Sequence, residues 1–331
     1  MRTPHRTVLG SSLAVAPIGI GTMGLSPGVY GDVDPSDAIA LLGAALDGGA
    51  NLVDTADAYG GGDNERLVGA ALAGRREDAA LATKFGYVGP EHGRRIDCGY
   101  RMKLFVDGSP SHVGAAIDAS LGRLGTDHVD LWYLHFPDPG IAIEETVGAM
   151  AEQVRAGKVR HLGLSNVTAE QLRRAAAVHP IAAVQREYSL WNRSVETELL
   201  PACRQVGAGL VAWGPLGSGF LAGQGFLSGS VTEVSKEDFR SRNPRFAPEN
   251  LAVNVDRFAP LADLAARRDC GTAELALAWL IAKGAVPIPG TRRKDHLLRN
   301  LAAVSLNLTE AELAELDARF PAGTAVGATF Q

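Results

Sequence analysis

Cysteine, long apolar runs and net charge are all scarce in this chain, and each shortage removes a class of function. Its 331 residues include only three cysteines, Cys98, Cys203 and Cys270. Their number is odd, they lie far apart and none forms a CxxC pair. That argues against a disulfide framework and fits small buried thiols in a reducing cytoplasm. No apolar run is long enough to span a bilayer. Residues 1–10 carry charges with no apolar stretch behind them, so no secretory leader is expected. A formal net charge of -5 supplies no basic field for nucleic acid, although one small anion-binding pocket is compatible with it. His135 has no companion at HxH or HExxH spacing, and Asp54 with Asp57 does not make a site, so no metal is expected.

What the chain does have is alternation. Hydrophobic residues make up 46% of it, enough for a sizeable core. Short β-branched or apolar runs predict strands at 18–21, 51–54, 79–84, 129–135, 159–165, 183–187, 209–213 and 286–289. Amphipathic stretches predict helices at 35–47, 64–73, 111–124, 143–156, 168–177, 195–206, 255–267 and 294–302, with extra helices at 272–282 and 310–319. Asp34 is placed to cap the first helix, with Pro35 at its first position. Val8-Leu9 and Leu13 to Val15, around Gly10-Ser11-Ser12, read as an N-terminal hairpin. Strands alternating with helices imply parallel pairing and right-handed crossovers. Eight of them with no linker between favour one (β/α)8 TIM barrel, an α/β fold spanning residues 1–331, over an open sheet. Two segments interrupt the rhythm, 86–110 and 214–254, and loops of that length are usually lids or binding loops.

Gly19-Ile20-Gly21-Thr22-Met23-Gly24 satisfies GxGxxG on paper. Pro27 and Gly28 follow it where a helix should open, so a Rossmann reading is rejected.

Barrel enzymes work at the C-terminal ends of their strands. There the sequence puts Asp54, Lys84 and His135, with Tyr59 just beyond Asp54. Ser165 and Asn166 end the fifth strand, Gln185 lies in the sixth and Trp213 ends the seventh. A free phenol titrates near pH ~10, and a neighbouring ammonium lowers that value. Asp54 can hold Lys84 charged, and His135 can orient a carbonyl oxygen. Together they suit a general acid that protonates a developing alkoxide. No side chain supplies a hydride, so a nicotinamide cofactor is implied. Taken singly, each residue has a plainer reading: a buried salt bridge, a loop tyrosine, a core histidine, and for Ser165 and Asn166 a helix cap. Four of them at one barrel mouth favour chemistry.

Asp54-Thr55-Ala56-Asp57-Ala58-Tyr59-Gly60, followed by Asn64-Glu65 and Val68-Gly69, resembles the signature of the aldo-keto reductases. Leu162-Gly163-Leu164-Ser165-Asn166 and Gly290-Thr291-Arg292-Arg293 resemble that family's cofactor segments. The resemblance runs from about Thr7 to Asn300 and is nearest the branch of pyridoxal reductases and potassium-channel β subunits. It implies a catalytic tetrad of Asp54, Tyr59, Lys84 and His135, and NADPH as cofactor. It implies that Ser165, Asn166 and Gln185 bind the nicotinamide amide and that Trp213 stacks on its ring. Gly214, Pro215 and Leu216 would pass the pyrophosphate. Thr22, Met23, Ser218, Gly290, His296, Arg299 and Asn300 complete the cofactor set. Thr291 to Lys294, before a helix N-terminus and carrying the Arg292 and Arg293 guanidinium groups, suit a 2′-phosphate.

The chain departs from the family at Gly214, Ser218, Gln224, His296 and Arg299, where other residues are common, and Arg240, Arg242 and Arg245 are candidates to compensate. Phe136 stands where arginine is frequent. Met23, Tyr30, Tyr87, Phe136 and Trp191 are expected to line the substrate pocket. The expected function is NADPH-dependent reduction of an aldehyde or ketone in the cytoplasm, with a small carbonyl compound as partner. The alternatives are a reductase for keto-sugars or natural-product ketones, and an NADP(H)-binding sensor like the channel subunits. Substrate and oligomeric state stay open.

Overall fold

The computed structural model describes residues 6–27, 29–99, 103–223 and 225–329. Gly28, which follows the rejected dinucleotide motif, and Gln224, one of the departures, lie outside the described residues. The chain opens with an antiparallel hairpin, β1 (Thr7–Leu9) and β2 (Leu13–Val15). Then come β3 (Ile20–Gly21), α1 (Pro35–Asp47), β4 (Leu52–Asp54), α2 (Asp63–Leu72) and β5 (Ala80–Phe85). A second hairpin, β6 (Arg94–Asp97) and β7 (Lys103–Val106), precedes α3 (Pro110–Leu124) and β8 (Val129–Leu134). The pattern continues with α4 (Ile143–Arg155), β9 (Val159–Ser165), α5 (Ala169–Val178), β10 (Ile181–Glu187), α6 (Leu199–Val206) and β11 (Gly209–Trp213). It finishes with α7 (Pro248–Phe258), α8 (Pro260–Ala266), α9 (Thr272–Ala282), β12 (Ala285–Pro287), α10 (Lys294–Ala302) and α11 (Glu310–Arg319).

Eight strands pair in the order β3-β4-β5-β8-β9-β10-β11-β12, all parallel. The seam between first and last is joined by the Gly19 N–H, which donates to Pro287 O at 2.9 Å. Space there is scarce. A Cβ on Gly19 would sit 2.8 Å from Leu52 O, and one on Gly21 2.8 Å from Ile288 O. The glycines of the rejected dinucleotide motif therefore let the barrel close.

Side chains alternate along the strands. In β8, Leu131 and Tyr133 point into the barrel with Leu52, Ala80, Ala82, Ala183, Val211 and Val286, while Trp132 and Leu134 pack outward on the helices. Leu9, Leu13 and Val15 of the first hairpin join the inner cluster and plug its N-terminal end. The barrel interior is thus a packed core, and binding is confined to the opposite mouth. No helix among the described residues is long and apolar enough to cross a membrane.

Prolines explain two differences from expectation. The helix expected at 195–206 begins only at Leu199. Pro201 has no N–H to give and is tolerated only within a first helical turn. The helix expected at 255–267 is two helices, because Pro260 starts a new one at its first position. The β6–β7 hairpin, inside a segment expected to be loop, is the third difference.

Candidate functional site

The mouth of the barrel holds a cavity of about 730 Å3. At its base, β4 delivers Asp54 and β5 delivers Lys84, in adjacent parallel strands with Asp54 in register with Ala82. Lys84 is fully buried. Its Nζ donates to Asp54 Oδ1 at 2.5 Å and to Thr55 O at 2.8 Å, and lies 3.2 Å from the Tyr59 hydroxyl. Gln185 Nε2 donates to the other Asp54 oxygen at 2.7 Å. With a proton donor on each oxygen, Asp54 has the surroundings of a carboxylate.

Tyr59 follows β4 in a tight turn that Gly60 and Gly61 complete at φ 58° and 63°, a region open mainly to glycine. The turn is pinned from below by Asn64, whose Nδ2 donates to Thr22 O and Ser26 Oγ, while its Oδ1 accepts from Thr55 Oγ1 at 2.7 Å. Glu65 accepts from Thr83 Oγ1 and Arg123 Nε at 2.6 Å each. Asn64 of the signature therefore braces the segments beside the tyrosine turn, and Glu65 ties α2 to β5 and α3.

Electrostatics differ from the sequence expectation in one respect. Burial raises the Tyr59 phenol above its ordinary value, and the pull of the Lys84 ammonium only partly offsets this. Tyr59 is therefore a neutral phenol at neutral pH, a proton donor. Burial pulls Lys84 down, but Asp54 and Tyr59 together outweigh it and raise its pKa, so it stays an ammonium. His135 is driven well below its usual value, first by burial and then by Lys84, and is a neutral imidazole. Its ring stands edge-on to Tyr59 with centroids 6.0 Å apart, and Tyr87 and Phe136 pack on it at 4.7 and 5.3 Å. His135 Nδ1 is buried without a partner among the described residues.

Ser165 and Asn166 do not cap the following helix. Thr168 does, in a reciprocal capping box with Gln171. Asn166 instead adopts φ 56°, where Asn is the best tolerated residue after glycine. Its Nδ2 donates to His135 O and Ser165 Oγ, both at 3.1 Å. Ser165 Oγ donates to Gln185 O at 3.1 Å.

Of the expected site residues, the cavity is lined by Met23, Asp54, Tyr59, His135, Ser165, Asn166, Gln185, Trp213 to Leu216, Ser218, Gly290 to Arg292, His296, Arg299 and Asn300. His296, Arg299 and Asn300 share one face of α10 through i, i+3, i+4 spacing. Lys84 stands behind this surface. Thr22 does not line the cavity: it is fully buried, and its hydroxyl donates to Asp54 O at 2.8 Å, with Asn64 Oδ1 also within 2.5 Å.

Trp191, expected in the pocket, is buried in an aromatic core with Phe220, Phe246 and Phe258. Arg245, a candidate compensating cation, is buried too and donates to Trp191 O. Arg240 does reach the cavity, paired with Asp238 and lying over Tyr30 and Phe226. Sequence reasoning missed Leu104, on the unexpected hairpin, and Glu274 on α9, both lining the cavity. The only signal for Leu104 is the apolar run Leu104 to Val106, too short to separate from loop.

A wider groove of about 900 Å3 runs past the C-terminal ends of α2 and α3. Its cations are already committed, Arg76 to Asp130 and Arg123 to Glu65, and it holds no acid–base cluster comparable with the mouth.

A buried phenol, a fixed ammonium and a neutral imidazole at a barrel mouth define a site for moving a proton at a carbonyl or carbinol oxygen. Comparison with known proteins gives the family. The chain matches the Aldo/keto reductase family over residues 17–319. It belongs to that family and is an oxidoreductase. It is 38% identical over 320 residues to a probable aldo-keto reductase 1 of Glycine max, covering 96% of this chain and 88% of the relative. Among solved structures it is similar to the glycerol dehydrogenase of Gluconobacter oxydans, at 28% identity and TM-score 0.82 over the whole of both chains. It is also similar to a Klebsiella pneumoniae aldo/keto reductase solved with NADP and acetate, at 27% identity and TM-score 0.73, over 99% of each chain.

Proposed function

We propose that this chain, acting as one 331-residue unit in the cytoplasm, reduces a small aldehyde or ketone with NADPH. Nucleic acid and membrane have no part in this reading. The observation that carries it is the Lys84 ammonium 3.2 Å from the Tyr59 hydroxyl at the base of a deep cavity. The donor set supports the cofactor. Arg292, His296 and Arg299 gather cationic and N–H groups at one end of that cavity, which suits phosphate. At the other end Asn166, Ser165 and Gln185 suit an amide.

When bound, NADPH supplies the hydride. Tyr59 donates its proton to the oxygen that gains negative charge. Lys84 stabilises the phenolate left behind, and Asp54 holds Lys84 in place. His135, kept neutral by burial, donates one N–H to the same oxygen and turns the carbonyl toward Tyr59.

Fluorescence titration with NADPH and NADH, followed by a panel of aldehydes, ketones and keto-sugars, tests the reading. Tight NADPH binding with steady turnover of a carbonyl supports it. Tight binding without turnover on any of the panel supports a sensor instead.

A further inference from the structure

We propose that the segment 325–329 is a strap that positions the cavity loop 214–219 and so sets cofactor affinity. Beyond α11 the chain runs back past α7 to the C-terminal end of β10, tied at several points. Asn254 binds Val326 reciprocally, accepting from its N–H at 2.8 Å and donating to its carbonyl at 3.1 Å. Arg245 Nε donates to Gly327 O at 3.3 Å. Gly327 has φ 98°, and a Cβ there would lie 2.9 Å from Arg245 Cα, so the strap lies directly on the Arg245 backbone.

The last tie is a closed triangle. Thr329 Oγ1 donates to Glu187 Oε2 at 2.8 Å. Asn192 Nδ2 donates one hydrogen to that same oxygen at 2.9 Å and the other to Thr329 Oγ1 at 2.8 Å. Glu187 is 3% exposed, and a buried carboxylate depends on such donors.

These anchors are the supports of the cavity loop. Glu187 is in register with Trp213 across β10 and β11, and its Cγ lies 3.5 Å from where a Cβ of Gly214 would be. Arg245 holds the Trp191 carbonyl and lies over the Trp191 ring. That ring lies 2.9 Å from where a Cβ of Gly217 would be. The strap therefore grips Glu187, on which Gly214 rests, and Arg245, which in turn holds the Trp191 beneath Gly217, while Gly214, Pro215, Leu216, Ser218 and Gly219 face the cavity. Thr329 is a positioning residue: the cavity lining does not include it.

The inference rests on the proposed NADPH site, and its test separates the two. In the full chain, Thr329→Val removes the donated hydrogen bond at near-constant volume, and Thr329→Ser keeps it. NADPH affinity is read by fluorescence titration, kcat at saturating NADPH, and amide exchange of 214–219 in the unliganded protein. The expected result is a roughly tenfold weaker Kd for Thr329→Val with kcat unchanged and faster exchange at 214–219. Thr329→Ser should return within twofold of wild type. A Thr329→Val protein with wild-type affinity and exchange overturns the strap. So does a loss that appears in kcat rather than Kd, or one that serine fails to restore. A wild-type protein that binds no NADPH removes the proposed function, and the exchange rates of 214–219 then decide the strap by themselves.

Discussion

Lys84 Nζ sits between Asp54 Oδ1 at 2.5 Å and the Tyr59 hydroxyl at 3.2 Å, with no exposure to solvent. One buried ammonium therefore contacts both the carboxylate that balances its charge and the phenol proposed as the proton donor. Lys84→Met removes the charge and leaves Asp54 buried beside an apolar chain. The expected cost is about 3–5 kcal/mol in urea unfolding, because an unpaired buried carboxylate is worse than no pair at all. The double variant Asp54→Asn with Lys84→Met should regain part of that loss. A single variant within about 1 kcal/mol of wild type would show that the pair is not desolvated.

Asp57, two residues before Tyr59, gives a pH-dependent prediction. Burial, followed by the Glu65 carboxylate, pushes its carboxyl up to about 8, against the pull of Arg123 and Lys84. The folded chain then holds a proton that the unfolded chain releases in the ordinary carboxylate range. Stability linked to this group is present at low pH and is lost as pH rises toward 8. Asn at this position cannot ionise. Asp57→Asn should therefore gain on wild type between pH 5 and 8.5, by at least about 2 kcal/mol. A difference between the two proteins that stays flat across this range, in urea melts, would contradict the assignment.

Arg292 and Arg293 are neighbours with different duties. Arg293 places two N–H groups on Asp295, at 3.0 and 2.8 Å. Among the described residues Arg292 reaches only a backbone carbonyl, Asp32 O, at 3.5 Å, so its guanidinium is the better placed of the two for a phosphate. Arg292→Ala should weaken NADPH by about 10–100-fold and NADH by less than about twofold, the usual scale for one charge-assisted contact. Arg293→Ala should change either by less than about threefold. Equal losses of both cofactors in Arg292→Ala would move phosphate recognition elsewhere.

Much of this is legible in the sequence alone, and the reasons are local. Asp34-Pro35 marks the start of α1 because a cap and a proline define a first turn chemically. Asp54, Lys84 and His135 could be placed because strand ends face the mouth in a parallel barrel. The β6–β7 hairpin was hidden because Arg94, Arg95 and Asp97 break the apolar signal of a strand whose inner face carries only Ile96. Trp191 was misplaced because an aromatic near a strand end serves core and pocket equally well in sequence, and only its neighbours Phe220 and Phe258 decide. Thr22 was misassigned for a similar reason: a hydroxyl near the mouth can face a ligand or a backbone carbonyl. The Tyr59 pKa went the other way from expectation because burial depth, which sequence does not give, outweighs one ammonium.

The most direct test of the account is NADPH oxidation by Tyr59→Phe in the presence of a carbonyl substrate, with NADPH affinity titrated on the same preparation. The account predicts a kcat lower by about 10²–10⁴, the range for a lost general acid, and a Kd for NADPH within about twofold of wild type. Retained turnover with intact cofactor binding would contradict it and assign the proton to another group.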